Sequence, residues 1–172
     1  EFGDNANVLG QGFVARALTI AGNPRAEAAT DFLLAQQCEG GVFRNFFTAD
    51  KEQADQSCDG ATADEAVPSV DATALSMMNL QATEPAAGSD EAQALDAAAA
   101  WLLSQQAEDG SFLGAPPTDT PNTNSTGLAA TALAGQGEDD AAEDAAEYVA
   151  GVQALTCDGP LAEDAGAVSY DQ

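Results

Sequence analysis

The chain has 172 residues, and 29 acidic residues against four basic ones give a formal net charge of −25. This charge excludes a nucleic-acid backbone as a partner, because phosphate contacts need Lys and Arg, and it disfavours docking on an anionic membrane. Histidine, the commonest general base and zinc ligand, is absent, and no apolar run is long enough to span a bilayer.

The first predicted helix follows Asn7 and ends near Leu18, and two later segments share its pattern of a polar helix start before an apolar run. These later segments cover residues 69–80 and 122–133. Residues 70–82 are apolar nearly all round, which indicates a helix that is buried on most sides. We call these three segments inner-type helices.

Each inner-type helix is followed by a helix of a second kind, predicted over residues 26–37, 91–106 and 140–153. Acidic residues stand early in these helices, where the helix dipole favours negative charge, and an apolar stripe follows one face. Such helices are exposed to solvent on one face, and we call them outer-type. The alternation predicts an all-α repeat fold of about three helix pairs, in one domain over residues 1–172.

A motif closes the first two outer-type helices. Residues 32–43 align without a gap with residues 101–112, sharing an aromatic residue, a Leu pair, a Gln pair, a Gly and a final Phe. We expect the Gln to tie the helix end and the Gly to take a left-handed turn. The motif residues are Gln37, Gly41, Phe43, Gln106, Gly110 and Phe112.

A third, weaker copy of the motif is predicted from Tyr148 through Gln153 to Gly159 and Leu161, with a two-residue insertion. Residues 168–170 are then predicted to begin a further inner-type helix. The chain is therefore expected to start and stop inside a longer repeat series.

The three cysteines bear on the cellular compartment. Cys38 and Cys58 are separated by a polar loop, and a disulfide between them would stabilise the fold by about 3 kcal/mol on the loop-entropy argument. An acidic chain with such a disulfide is typical of a secreted or cell-surface protein. Cys157 is either a buried thiol or bonded to a partner outside this chain.

The same loop carries a weak candidate metal site at Asp55, Ser57 and Asp59, followed by Gly60. This spacing resembles the opening of an EF-hand loop, but the closing Glu belongs where Ala66 stands. Flanking helices are also lacking. The sequence therefore favours a polar loop, and we predict neither a metal nor another cofactor.

The motif Gln-x-x-x-Gly-x-Phe resembles the Q-x-x-x-G-x-W repeat of triterpene cyclases, and residues 70–74 resemble their D-x-D-D-T-A segment. Residues 7–18 and 164–171 are similar to secreted actinobacterial proteins with prenyltransferase/squalene-oxidase-type repeats. The resemblance implies an α/α toroid of the terpenoid cyclase and protein prenyltransferase superfamily. Because a full toroid has about six helix pairs, this chain would form roughly half of one.

Asp71 matches the Asp that protonates the substrate in class II cyclases. Ser69 and Ala72 replace its acidic neighbours, so the groups that would keep it protonated and oriented are missing. A structural role explains it better, because Ser69 would be the N-cap and Asp71 would lie in the first helical turn. The predicted helix-start caps are Ser69, Asp71, Asn122 and Asn124.

The residues that other activities of this superfamily require are absent from this chain. The zinc site of protein prenyltransferases needs His, and the thioester proteins need a Cys-Gly-Glu-Gln segment, which is absent. Tyr148 and Tyr170 could act as the base of a polysaccharide lyase, but two tyrosines alone do not indicate that activity. Carboxylates are so abundant that no particular pair is indicated for glycoside hydrolysis. No catalytic residue is predicted, except Asp71 if the protein is a cyclase.

Three functions are left. We favour a non-enzymatic secreted or cell-surface binding or scaffold module whose partner is an unknown small molecule or protein, by analogy of fold with toroidal carriers. The first alternative is a terpene-cyclase-like enzyme that uses Asp71 as its general acid. The second is a structural surface protein that self-associates through the edges of its repeats.

Overall fold

The computed structural model describes residues 6–116, 118–155 and 162–171. Within these ranges the chain forms six α-helices, one short 3-10 helix and no β-strand, so the predicted all-α class is confirmed. No described helix is both long and apolar enough to cross a membrane. The α-helices are α1 Val8–Ile20, α2 Ala26–Leu34, α3 Val70–Gln81, α4 Asp90–Gln105, α5 Thr123–Gln136 and α6 Asp139–Gly151, and the 3-10 helix is Ala162–Asp164.

The three odd-numbered helices start in the same way. Asn7, Ser69 and Asn122 are extended in the backbone, and each side chain accepts a hydrogen bond from the N–H three residues later, at 2.8, 3.1 and 2.9 Å. Each such cap stabilises its helix by about 1 kcal/mol. The capping residues thereby fix where α1, α3 and α5 begin.

Packing follows the repeat. Each odd-numbered helix packs against the even-numbered helix that follows it, and α3 also packs against α1 on one side and α5 on the other. One hydrophobic cluster runs from α1 to α6, and its fully buried large side chains include Leu33, Phe43, Met77, Leu102 and Leu133. Burying each such side chain stabilises the fold by about 1.5–3 kcal/mol.

Candidate functional site

The first motif turn joins two repeats. The side-chain amide of Gln37 donates to the carbonyl oxygen of Gly41 within the turn at 2.9 Å, and to that of Ala94 in α4 at 2.8 Å. One side chain therefore closes the turn after α2 and attaches it to the next even-numbered helix.

The second motif turn repeats this arrangement. Gln106 donates to the carbonyl oxygen of Gly110 at 3.3 Å and to that of Ala141 in α6 at 2.8 Å. The acceptors Ala94 and Ala141 each lie twelve residues before the motif Gln that ends their own helix. The same hydrogen bond between one repeat and the next is therefore formed twice.

The motif glycines allow a close approach between the turn and the next helix. Gly41 and Gly110 have φ angles of 96° and 83°, which residues with a Cβ rarely adopt. A Cβ on Gly41 would collide with the carbonyl oxygen of Ala97 in α4, and one on Gly110 with that of Asp144 in α6. Both glycines are therefore required by backbone angle and by space.

The motif phenylalanines attach each turn to the following odd-numbered helix. The N–H of Phe43 donates to Thr73 Oγ1 and that of Phe112 to Thr126 Oγ1, both at 3.0 Å, and both aromatic side chains are fully buried. Each Thr hydroxyl also donates to the N-cap carbonyl four residues earlier, at 2.8 and 2.7 Å. These threonines were not predicted from the sequence, although both stand four residues after the N-cap of their helix.

A third motif turn contains the predicted Gln153, but its Gly and its last motif residue are not the predicted ones. Gln153 donates to the carbonyl oxygen of Gly166 at 2.9 Å and pairs with Val168, as Gln37 pairs with Phe43. Gly166, with φ 98°, and Val168 therefore take the motif positions that we predicted for Gly159 and Leu161, which lie outside the described residues.

The spacing explains the error. Gln and Gly are 13 residues apart in the third turn and 4 apart in the first. The hydrogen bond from the Gln amide requires a Gly with positive φ close to it in space. The loop between the Gln and that Gly can therefore be longer than in the first two turns. Because Val168 occupies the Phe position, residues 168–170 continue the turn and do not begin a helix.

The bonds at the starts of α3 and α5 come from Ser69 and Asn122. Asp71 and Asn124 lie two residues further on, and neither side chain makes a hydrogen bond in the described part of the chain. Asp71 lies in the first turn of α3, as predicted, where the helix dipole favours its charge, and the side chains that bond the helix starts are those of Ser69 and Asn122. Asp71 Oδ1 is buried, and no described residue bonds to it and orients it as an acid.

Arg44 is buried in the loop after the first motif, a position that the sequence analysis did not identify. Its guanidinium donates to Gln36 Oε1 at 2.6 and 3.0 Å, to Thr48 Oγ1 at 3.1 Å and to the carbonyl oxygen of Gln56 at 2.9 Å. Burial lowers the pKa of Arg44, and the charges of Glu65 and Asp55 oppose that effect. Arg44 thus holds the long loop against the end of α2.

The same loop contains the predicted disulfide. Cys38 and Cys58 are bonded, with their Cα atoms 5.1 Å apart, and the N–H of Cys58 donates to the carbonyl oxygen of Ala35 at 2.8 Å. A disulfide fits an oxidising, extracytoplasmic compartment. Cys157 lies outside the described residues.

The candidate metal residues do not converge. Asp55 Oδ1 accepts a hydrogen bond from the N–H of Ser57 at 2.9 Å, and hydrogen bonds with Ser57 lower the pKa of Asp55. Asp59 is exposed. Among the residues that the structure describes, no three His, Cys, Asp or Glu side chains are grouped as metal ligands.

The two tyrosines differ in exposure. Tyr148 is buried, and burial together with the charges of Asp109 and Asp171 raises the pKa of its phenol. A raised pKa makes the phenolate scarcer, which is the wrong direction for the general base of a lyase. Tyr170 is 42% exposed and lies in the third motif turn.

A cleft of about 380 Å³ lies at the N-terminal end of α3, beside its N-cap Ser69. Phe46 and Val67 are 64% and 41% exposed there, although both are large and apolar. The carboxylates of Asp64 and Glu65 stand at its side. The apolar lining also includes Phe47, Ala49, Ala115 and Pro116.

Glu65 joins two loop segments beside this cleft. Its carboxylate accepts hydrogen bonds from the N–H of Ala49 at 2.7 Å and from the N–H and hydroxyl of Thr62, both at 3.0 Å. These bonds, the one from Ala49 first, lower the pKa of Glu65. The group therefore stays ionised and holds residues 49 and 62 together.

No protein-family model and no curated protein matches the sequence. The resemblance to triterpene cyclases therefore depends on the motif residues and on the order of the helices.

Proposed function

We propose that the chain is a non-enzymatic binding module of the α/α-toroid type, and that it takes its ligand in the cleft beside Ser69. The exposed apolar wall of that cleft carries the proposal. Phe46 and Val67 lie in a concave site with loop segments on either side, and apolar side chains left exposed in a concave site are typical of ligand binding.

The ligand we propose is apolar, with a neutral or positively charged polar group. Phe46, Phe47 and Val67 supply the apolar contact, and the carboxylates of Asp64 and Glu65 stand beside it. The net charge of −25 raises the energy of any anion that approaches. A cleft of about 380 Å³ is large enough for one aromatic or branched aliphatic group.

The position of Asp71 favours binding over cyclase chemistry. Asp71 does not line the cleft, and its carboxylate has no hydrogen bond to any residue that the structure describes. A cyclase acid needs an apolar cavity beside it and neighbours that hold it in the protonated form. The motif residues Gln37, Gly41 and Phe43 are also occupied in joining repeats.

The toroid proposal is supported by the packing. The odd-numbered helices lie side by side, and each motif turn reaches the next even-numbered helix, as expected for successive helix pairs of one array. The disulfide supports a secreted or cell-surface location. Membership of the terpenoid cyclase and prenyltransferase superfamily is part of the same proposal.

A matched pair of probes tests the cleft. Naphthylmethylammonium and naphthoate share an aromatic body and differ in charge, and we expect the cation alone to bind at neutral pH. Phe46→Ala should weaken its binding about tenfold in a calorimetric titration, since one large contact is lost. Phe13→Ala removes a Phe that is 53% exposed elsewhere and should leave the affinity unchanged.

Two outcomes would overturn the proposal. One is equal binding of both probes, and the other is an equal effect of Phe46→Ala and Phe13→Ala. Asp71→Asn distinguishes the binding module from the cyclase alternative. For a binding module we expect probe binding to be unchanged, whereas a cyclase would lose turnover of a polyprenyl substrate.

A further inference from the structure

Asn45 lines the cleft beside Ser69, and its side-chain oxygen is left without a donor. Asn45 Oδ1 is buried, and no group in the described part of the chain donates a hydrogen bond to it. A buried acceptor without a donor is unfavourable, so buried polar groups in native proteins are nearly always bonded. The cleft therefore offers a ligand one buried acceptor that the fold leaves unused.

The backbone, not the side chain, fixes Asn45 in the fold. Its carbonyl oxygen accepts a hydrogen bond from the N–H of Val8, the first residue of α1, at 2.9 Å. The preceding residue, Arg44, pairs with Pro68, and its guanidinium is bonded in the interior. The chain at Asn45 is thus held in place by bonds that do not involve the Asn45 side chain.

The other polar groups of the cleft are mainly acceptors. Asp64 is exposed, and its carboxylate makes no hydrogen bond to any residue that the structure describes. Glu65 adds a second carboxylate beside it. The hydroxyl oxygen of Ser69 is occupied by the N–H of Ala72 at 3.1 Å. A positively charged group with several N–H donors matches this set of acceptors.

The aromatic side chains of the cleft would by themselves allow a different kind of cation. Phe46 and Phe47 both line the cleft, and a quaternary ammonium binds aromatic faces without donating a hydrogen bond. Phe47 is already engaged in an edge-to-face contact with Phe32, with ring centroids 5.0 Å apart. A quaternary ammonium would also leave Asn45 Oδ1 without a donor. The acceptors therefore favour a cation that carries N–H groups.

We propose that the cleft selects a primary amine, that is, a small molecule with an ammonium group on an aromatic or branched aliphatic body. One N–H donates to Asn45 Oδ1, a second faces the carboxylates of Asp64 and Glu65, and the body lies against Phe46 and Val67. Asn45 determines specificity, because it distinguishes a donating cation from a fully alkylated one of the same charge. This inference rests on the proposed function, since it concerns the ligand of the same cleft.

Two cations with the same aromatic body test this selectivity. Naphthylmethylammonium carries N–H donors, whereas its N,N,N-trimethyl derivative has the same charge and none. In calorimetric titrations at neutral pH we expect the wild type to bind the primary ammonium about tenfold more tightly, because the derivative cannot bond Asn45 Oδ1.

Asn45→Leu removes the acceptor and keeps a side chain of similar size. We expect its affinity for the primary ammonium to fall about tenfold and its affinity for the trimethyl derivative to be unchanged. Urea unfolding should show no loss of stability, because the folded state loses an acceptor that no described residue bonds. Asn124→Leu is the matched control: Asn124 is exposed and does not line the cleft, so both affinities should be unchanged.

The outcomes distinguish this inference from the proposal of the cleft itself. If the wild type binds both cations equally and Phe46→Ala still weakens both, the cleft is confirmed and the role of Asn45 is refuted. A folded Asn45→Leu that keeps the preference for the primary ammonium would refute it as well. So would a destabilised Asn45→Leu, since the side chain would then serve the fold. If neither cation binds, both proposals are overturned.

Discussion

The side-chain amide of Gln37 lies 2.8 Å from the carbonyl oxygen of Ala94, a residue 57 positions later in the chain. Gln106 has the same relation to Ala141. In both cases the Gln also holds the carbonyl of its own turn, so one side chain satisfies two acceptors. The motif therefore stabilises the contact between repeats as well as its own turn.

Replacing Gln106 by Met should destabilise the protein by about 1–3 kcal/mol, because both hydrogen bonds of the amide are lost while the side-chain volume is kept. Urea unfolding followed by circular dichroism measures the loss. Gln105→Met is the matched control, since Gln105 is exposed and its amide donates to the adjacent Ser104. Equal losses in the two variants would argue against the inter-repeat bond.

Arg44→Met should destabilise the protein by about 2–4 kcal/mol, because Gln36 and Thr48 lose the guanidinium that bonds them in the interior. Arg16→Met, at an exposed position, should change the free energy of unfolding by less than about 0.5 kcal/mol. Denaturant unfolding of the oxidised protein gives both values. A neutral Arg44→Met would mean that the loop does not depend on this residue.

The stabilising effect of Glu65 should depend on pH. The folded state lowers the pKa of Glu65 below its ordinary value of 4.5, so its contribution is present above that value and is lost as pH falls through the folded pKa. We expect Glu65→Gln to be less stable than wild type at pH 7, with the difference shrinking below pH 4.5. A difference that stays constant from pH 7 to pH 3 would show that ionised Glu65 does not hold Ala49 and Thr62.

Local features of the fold could be predicted from the sequence, because their causes are local. The apolar run of α3 and its N-cap Ser69 lie within one short segment, so the predicted helix over 70–82 differs from Val70–Gln81 by one residue. The disulfide between Cys38 and Cys58 was likewise accessible from spacing and composition. Periodicity and capping chemistry act over a few residues.

Features that depend on tertiary packing could not be predicted. The bond from Gln37 to Ala94 exists only because α2 and α4 lie together, and no short pattern encodes that. Arg44 stands in a polar loop, where Arg is ordinarily solvated, and it is buried because the loop folds back over α2. The third turn was misplaced because Gln153 and its Gly are 13 residues apart, compared with 4 in the first turn, whereas an insertion of only two residues was expected.

That the motif joins one repeat to the next is tested most directly by comparing Gly110→Ala with Gly166→Ala in dilute solution. Both glycines have positive φ, 83° and 98°, so both variants carry a similar backbone cost of about 1 kcal/mol. Only a Cβ at Gly110 also meets a neighbouring helix, at Asp144. We predict that Gly110→Ala lowers the free energy of unfolding by about 2 kcal/mol more than Gly166→Ala does. Equal losses would contradict the role of the motif in joining repeats.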